Sequence, residues 1–276
     1  MLAAAAHPWR RAPAVGSAGT HGTARKEARC AESAPNGPHC SVPRRRVRPR
    51  LRGQSLPEKV SLVTVEDSYE VEIGIAVLGE AYGRVGIDVE VERLPGDLAL
   101  RRSASGQAHG EVHRIDGIAE EYPSLIQVSI PINYIEVGVY SRDPELAPRS
   151  WTDLLGLEVG IVRGIIAAER LTDRLEVRRV DTYEELLGLL ARGEVDAIVT
   201  PLINTEVALL RGELADGVHM NGVMDTYLLY HYLHEDHALL LPIIEPVLKD
   251  MLVRGRVTEI RSETLDRIRR DAAEGR

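Results

Sequence analysis

From residue 59 onward, short β-branched or alternating apolar runs take turns with longer runs of helical period. KVSLVTV (59–65) is short and β-branched and predicts a first strand. Asp67 and Ser68 then stand as polar cap candidates before the periodic run Val71–Tyr82, which predicts a helix. IDVEVER (87–93) alternates strictly and predicts a second strand. PGDLALRRSASG predicts a short helix ending at Gly106, and QVSIPINYIEVGVYS predicts two short strands around Pro131, ending near Ser141.

The pattern then restarts. TDLLGLEVGIVRG predicts a short helix and a strand, Val159–Val162, closed by Gly164. EVRRV (176–180) predicts a strand. TYEELLGLLARG predicts a helix capped by Thr182, with Glu185 completing a capping box and Gly193 stopping it. VDAIV (195–199) predicts another strand, 203–211 another helix and VHMNG (218–222) a final edge strand. The last fifty residues are expected to be mostly helical, with Glu245–Val253 and Thr258–Ala272 the clearest stretches.

Strands alternating with helices at this spacing predict an α/β fold of largely parallel sheets flanked by helices. The restart divides it into two lobes, 58–140 with 224–270 packing back on it, and 141–223. The chain is expected to cross between them near Tyr140–Arg142 and Gly222–Asp225, which makes a hinge. Ligands of such sheets bind at the C-terminal ends of strands, so a cleft between two lobes gathers helix N-termini around one solute.

Composition adds an asymmetry. Residues 1–57 hold eleven Lys/Arg and two Glu, which leaves 23 basic and 40 acidic residues in the rest. An acidic folded part argues against a nucleic-acid surface, which needs clustered positive charge. Residues 1–57, rich in Ala, Arg, Pro, Gly and Ser, are expected to be disordered. The basic run Arg44–Arg52 reads as a solvated tail or mis-called start, as a contact for an anionic surface, or as a nucleic-acid contact. No apolar stretch suits a secretory signal, and none reaches the length of a membrane span. Cys30 and Cys40 both lie in this segment, and two thiols alone make no disulfide scaffold or four-cysteine zinc site. With no Phe in the chain, the core must rest on Leu, Ile, Val, Ala and Tyr.

Catalytic signatures are missing: there is no GxGxxG after a strand, no Walker loop and no GxSxG elbow. HGEVH (109–113) is not the HExxH zinc pattern, and its glycine-rich approach argues against a helix, so His109 and His113 are expected at the surface. HYLHEDH (231–237) is expected to be a polar turn between helices. Neither string predicts a metal site, and no cofactor is expected.

SWTDLLGLEVGIVRG, TYEELLGLLARGEVDAIVT and GEVHRI, in this order and spacing, resemble the family-3 solute-binding proteins of bacterial ABC importers, which have the type 2 periplasmic-binding fold. The likeness runs from about Val60 to Arg269. It implies non-catalytic binding of a small polar or carboxylate-bearing solute in the cleft, by a monomer in the periplasm that serves an ABC permease. It also leaves open an orphan or sensory solute-binding domain, or a cyclohexadienyl-dehydratase-like enzyme with Glu111, Glu136 or Asp67 as acid or base. By the family pattern Arg114 holds the ligand carboxylate, as a rigid bidentate guanidinium can, though it also reads as a surface or lobe-stabilising arginine. Asp67, Ser68 and Tyr69 lie where the family contacts ligand, though Tyr69 also fits a core aromatic. Gly164 and Ile165 occupy the lobe-two helix start, where backbone N–H groups can bind an anion although the family's hydroxyl residue is replaced by Ile165; Gly164 itself reads first as a structural glycine. Asp196 reads as a structural group at a strand end. Where the family has an acidic partner for an amino acid's α-amine, this chain has Pro201, which disfavours an ordinary α-amino acid. Asn204 and Glu206 are nearby polar candidates.

Overall fold

A computed structural model describes residues 56–66, 68–212 and 217–275. Asp67 and all but the last two residues of the basic N-terminal segment lie outside the described residues. Of those two, Leu56 packs against the first lobe's core.

The first lobe is built from β1 (Lys59–Val65), α1 (Tyr69–Arg84), β2 (Asp88–Leu94), α2 (Gly96–Ala104) and β3 (Gly110–Ile115), followed by the short α3 (Ile118–Glu121). A long strand β4 (Leu125–Ser141) leads to the second lobe: β5 (Val159–Val162), α4 (Ile166–Leu171), β6 (Val177–Val180), α5 (Tyr183–Arg192), β7 (Ala197–Pro201) and α6 (Leu202–Leu210). The return strand β8 (His219–His234) is equally long, and α7 (Leu241–Val253) and α8 (Arg256–Ala273) close the chain.

All eight strands form one sheet in the order β2-β1-β3-β8-β4-β7-β5-β6. β1 pairs in parallel with β2 and β3, and β5 with β6 and β7, so each lobe repeats a triad with its first strand in the middle. Between the triads β4 and β8 run antiparallel along almost their whole length, and the chain crosses between lobes along them. The sheet is therefore mixed, with parallel triads joined through a two-stranded antiparallel bridge.

Three readings of the sequence are corrected here. The apolar run around Pro131 is one strand, not two. Proline cannot donate to the ladder, and the strand absorbs it by register shifts on both sides of Pro131. The strand expected at 218–222 is not an edge: it lies in the middle of the sheet between β3 and β4 and continues to His234, which removes the first part of the expected helical tail. GEVHRI, left without a regular structure, is β3, and all six of its residues are buried. A strand covered on both faces has no alternation to reveal it.

Two cores meet across the sheet. Under α1, α7 and α8, Val60, Leu62, Ile73, Leu78, Tyr82, Ile244 and Leu248 are fully buried. Each such side chain is worth about 1.5–3 kcal/mol of transfer free energy. The second core collects Val159, Ile161, Leu186 and Leu190, and reaches into the first lobe to include Leu100, Ile115, Ile118 and Tyr232. Helix α6 straddles both, with Ile203 and Val207 in the first core and Ala208 in the second. Among the described residues no helix is long and apolar enough to cross a membrane.

Candidate functional site

The starts of the helices that follow β1 and β6 converge on one face of the helix that follows β7, from Asn204 to its C-cap Arg211. α1 begins directly after the C-terminal end of β1, α5 after β6 and α6 after β7. The start of α5 follows from sequence: Thr182 Oγ1 accepts from the Glu185 N–H at 3.1 Å, while the Glu185 carboxylate accepts from the Asp181 N–H at 3.4 Å. Where these turns meet α8 there is a cavity of about 940 Å³. Its first-lobe wall is Ser68, Tyr69 and Glu72 of the α1 start with Arg93 at the end of β2. Its second-lobe wall is Thr182, Tyr183, Glu184 and Leu187 of α5 with Asn204, Val207, Ala208 and Arg211 of α6. Arg267, Ile268 and Asp271 of α8 complete it.

Three guanidinium groups and three carboxylates line this space, so it is polar and balanced in charge. Arg93 is taken up by Glu72 at 2.5 Å. The Arg211 guanidinium lies 5.9 Å from the centre of the Tyr69 ring, within cation–π range. Asn204, at the base of α6, is 5% exposed.

Ser68, Tyr69 and Asn204 of the sequence-derived site are thus brought together. Arg114, Gly164 and Ile165 do not line the cavity. Arg114 does not present its fork to a cleft, as the sequence reading expected. It is 5% exposed, its Nε donates to Glu111 Oε2 at 3.1 Å, and its Nη2 donates to Glu111 Oε1 at 3.2 Å and to the Gly96 carbonyl at 2.9 Å. The register shift between Glu111 and Arg114 against β8 lets two residues three apart in one strand face each other. Glu111 is fully buried, and burial lifts its carboxyl above the usual range while Arg114 pulls it back. A fork filled by an internal carboxylate is a structural pair.

Gly164 is also claimed from across the cleft. A Cβ on Gly96 would lie 2.8 Å from the Gly164 carbonyl oxygen, and one on Gly164 would lie 3.2 Å from the Gly96 Cα and 3.3 Å from Asp97 Oδ1. The space in which a solute anion was expected beside Gly164 is taken by the start of α2. Ile165 is buried in the second core. Beside this contact, Arg170 of α4 donates from Nη1 to the Asp116 carbonyl at 3.1 Å, a second tie between the lobes.

Asp196 does sit at a strand end, accepting from the Glu158 N–H at 2.8 Å. His113, expected at the surface, is 6% exposed and packs under α1, with Nε2 3.0 Å from the Glu70 carbonyl. His231 is fully buried between the Tyr82 hydroxyl at 3.0 Å and the Glu111 carbonyl at 2.6 Å. Burial holds both imidazoles down at about 4, so they are neutral packing groups. His109 stacks on His237 at 4.1 Å between ring centres. Among the described residues no group of three or more His, Cys, Asp or Glu could hold a metal ion.

Sequence reasoning missed the contributions of α8, Arg93 and the α5 start to the cavity. The Thr182 cap was the available signal for α5, since it located a helix N-terminus at a strand's C-terminal end; the expected capping box is only half formed, because Glu185 reaches the Asp181 N–H and not that of Thr182. Nothing local marks Arg267 or Asp271, which lie on a helix whose pattern records only its buried face.

No family model matches the chain, and no curated protein matches it. Solved structures do. A mutant of ArgBP from T. maritima superposes with a TM-score of 0.63 at 15% identity, over 76% of this chain and 96% of that one. A double mutant of the VFT2 domain of BvgS from Bordetella pertussis gives 0.61 at 20% identity, over 75% and 93%. A histidine kinase sensor domain with similarity to periplasmic binding proteins gives 0.61 at 17%, over 76% and 96%. At these identities the likeness speaks to fold. The chain has the two-lobed α/β fold of periplasmic-binding-protein-like domains.

Proposed function

We propose that this chain binds a small polar, carboxylate-bearing solute, without covalent chemistry, in the cavity between the starts of α1 and α5 and one face of α6. One observation carries the reading: a space of about 940 Å³ has walls from both lobes, lined by the starts of α1 and α5 and by charged groups of both signs. That volume is of the order that holds a small-molecule ligand, roughly 300–1,000 Å³. Arg211 and Arg267 are the cavity cations suited to a carboxylate, and Tyr69 offers a ring face to the solute's apolar part. An ancestral arginine-binding protein of the same fold is bound to arginine in one structure and to glutamine in another, which sets the size class of solute to try first.

Differential scanning fluorimetry over amino acids, dicarboxylates and other small organic acids tests this. A saturable rise in melting temperature with at least one of them is expected. A flat response across the whole set would overturn the reading.

As a substrate-binding component the chain would work in the periplasm and deliver solute to an ABC permease. A sensory role is the second reading, favoured by the BvgS and histidine kinase sensor domains among the similar structures. Co-purification separates the two: an importer component is captured by its permease in the presence of solute, and a sensor domain is not.

A further inference from the structure

We propose that Glu70 is a positioning residue that makes Ser68 a dedicated hydrogen-bond acceptor, so that the first-lobe wall of the cavity selects a solute with an N–H donor, such as an ammonium group; this rests on the solute-binding reading above. Ser68 occupies the N-cap of α1, where a serine side chain ordinarily accepts from a first-turn N–H. Here it makes no such bond. Its hydroxyl donates to Glu70 Oε2 at 3.0 Å instead. A hydroxyl carries one proton and two lone pairs, so a serine whose proton is committed offers only acceptors to whatever approaches next. Ser68 lines the cavity, and what approaches next is the solute.

Glu70 is buried and its backbone is held in place. It is 1% exposed, and its backbone carbonyl accepts from Asn133 Nδ2 and lies against His113 Nε2, each at 3.0 Å. Its other oxygen, Oε1, has no hydrogen-bond partner, so Ser68 is the side chain that answers the carboxylate. Burial pushes the Glu70 carboxyl up, while the Ser68 hydroxyl and Arg261, itself anchored to Asn133 Oδ1 and the Tyr134 carbonyl, pull it back toward the charged form in which Ser68 is the donor. On the second-lobe side, Pro201 at the end of β7 has no side-chain acceptor to offer. Ser68 would then meet an ammonium from the first lobe, with the Glu184 and Asp271 carboxylates on the other walls, while the guanidinium groups of Arg211 and Arg267 meet the carboxylate.

The test uses the whole chain and matched probes: L-arginine, L-glutamate and L-lysine, each against its des-amino acid (5-guanidinopentanoate, glutarate and 6-aminohexanoate), by titration calorimetry. For at least one pair the amino acid is expected to bind tighter, and Ser68→Ala is expected to cut that preference by about tenfold, the loss of one hydrogen bond to a charged group. Glu70→Gln should cut it as well, because the amide can donate to Ser68 and release the hydroxyl to donate into the cavity. The readout is the ratio within a pair, which a merely structural defect would not move. If amino acids bind and both variants leave the ratio unchanged, or lower both members equally, the role of Glu70 and Ser68 is overturned and solute binding stands. If none of the six probes binds the unaltered chain, this inference falls, and the screen described above decides the broader reading separately.

Discussion

Gly96 and Gly164 meet backbone to backbone across the two lobes: a methyl group on Gly96 would sit 2.8 Å from the Gly164 carbonyl oxygen, closer than real Cβ contacts allow. The lobes are closed on each other at this point, while the cavity beside α1 and α6 stays open. Gly96 is the first residue of α2 and has no left-handed backbone to preserve, so alanine there disturbs only the contact. Gly96→Ala is expected to part the lobes, seen as a larger radius of gyration by small-angle scattering. Stability should change by no more than about 1 kcal/mol, since alanine suits a helix better than glycine. An unchanged radius would mean that the contact does not hold the lobes together.

The pair formed by Glu111 and Arg114 makes a different prediction. Both are buried, and Arg114→Met leaves a carboxylate without its partner in the core. The expected cost in urea unfolding is about 3–5 kcal/mol. The double variant Glu111→Leu with Arg114→Met should recover most of it, because removing both charges removes the unpaired one as well. A fully stable single variant that had lost solute affinity would instead return Arg114 to the binding site.

Acid should weaken the fold through His113 and His231. Each is held at about 4 in the folded state, against an ordinary value near 6.5. The unfolded chain therefore binds more protons between these limits, and stability present above pH 6.5 is lost as pH falls toward 4. Between pH 7 and pH 5 the loss is about 2 kcal/mol for each histidine. The buried carboxyls of Glu70 and Glu111 are shifted upward and act in the opposite sense, gaining stability as pH falls toward their ordinary range. Denaturant midpoints at pH 7 and pH 5 measure the sum. His231→Gln should show a smaller drop than the unaltered chain, and an equal drop would clear His231 of the effect.

Tyr69 borders the cavity and carries Arg211 over its ring. Tyr69→Ala is expected to weaken binding of a solute found by fluorimetry by on the order of 1–2 kcal/mol, as loss of an aromatic contact surface does. The melting temperature without solute should move little, because the side chain is only half-buried. A large fall in that temperature with unchanged affinity would make Tyr69 a packing residue.

Much of this architecture is written in local pattern. β1 coincides with the β-branched run 59–65, and α5 starts where Thr182 and Glu185 announce it. These features depend on neighbours within four residues, and a capping hydroxyl or an alternating face reads the same in any fold. The place of Ser68 and Tyr69 at a strand end followed by a helix start was legible for the same reason, since that is a local event. The tertiary structure decided the rest. β3 and the second half of β8 are covered on both faces, so their apolar residues show no period. Arg114 looked like an ion binder until Glu111, three residues away across a bulge, was seen to fill its fork. Gly164 reads from sequence as a structural glycine beside a candidate anion site, but that its neighbour is Gly96 of the other lobe is decided only by the packing. Arg267 and Asp271 reach the cavity only because α8 packs beside α6 and α1, which precede it by scores of residues. A sequence records which face of each element is buried; which side chains then meet is set by how distant elements pack.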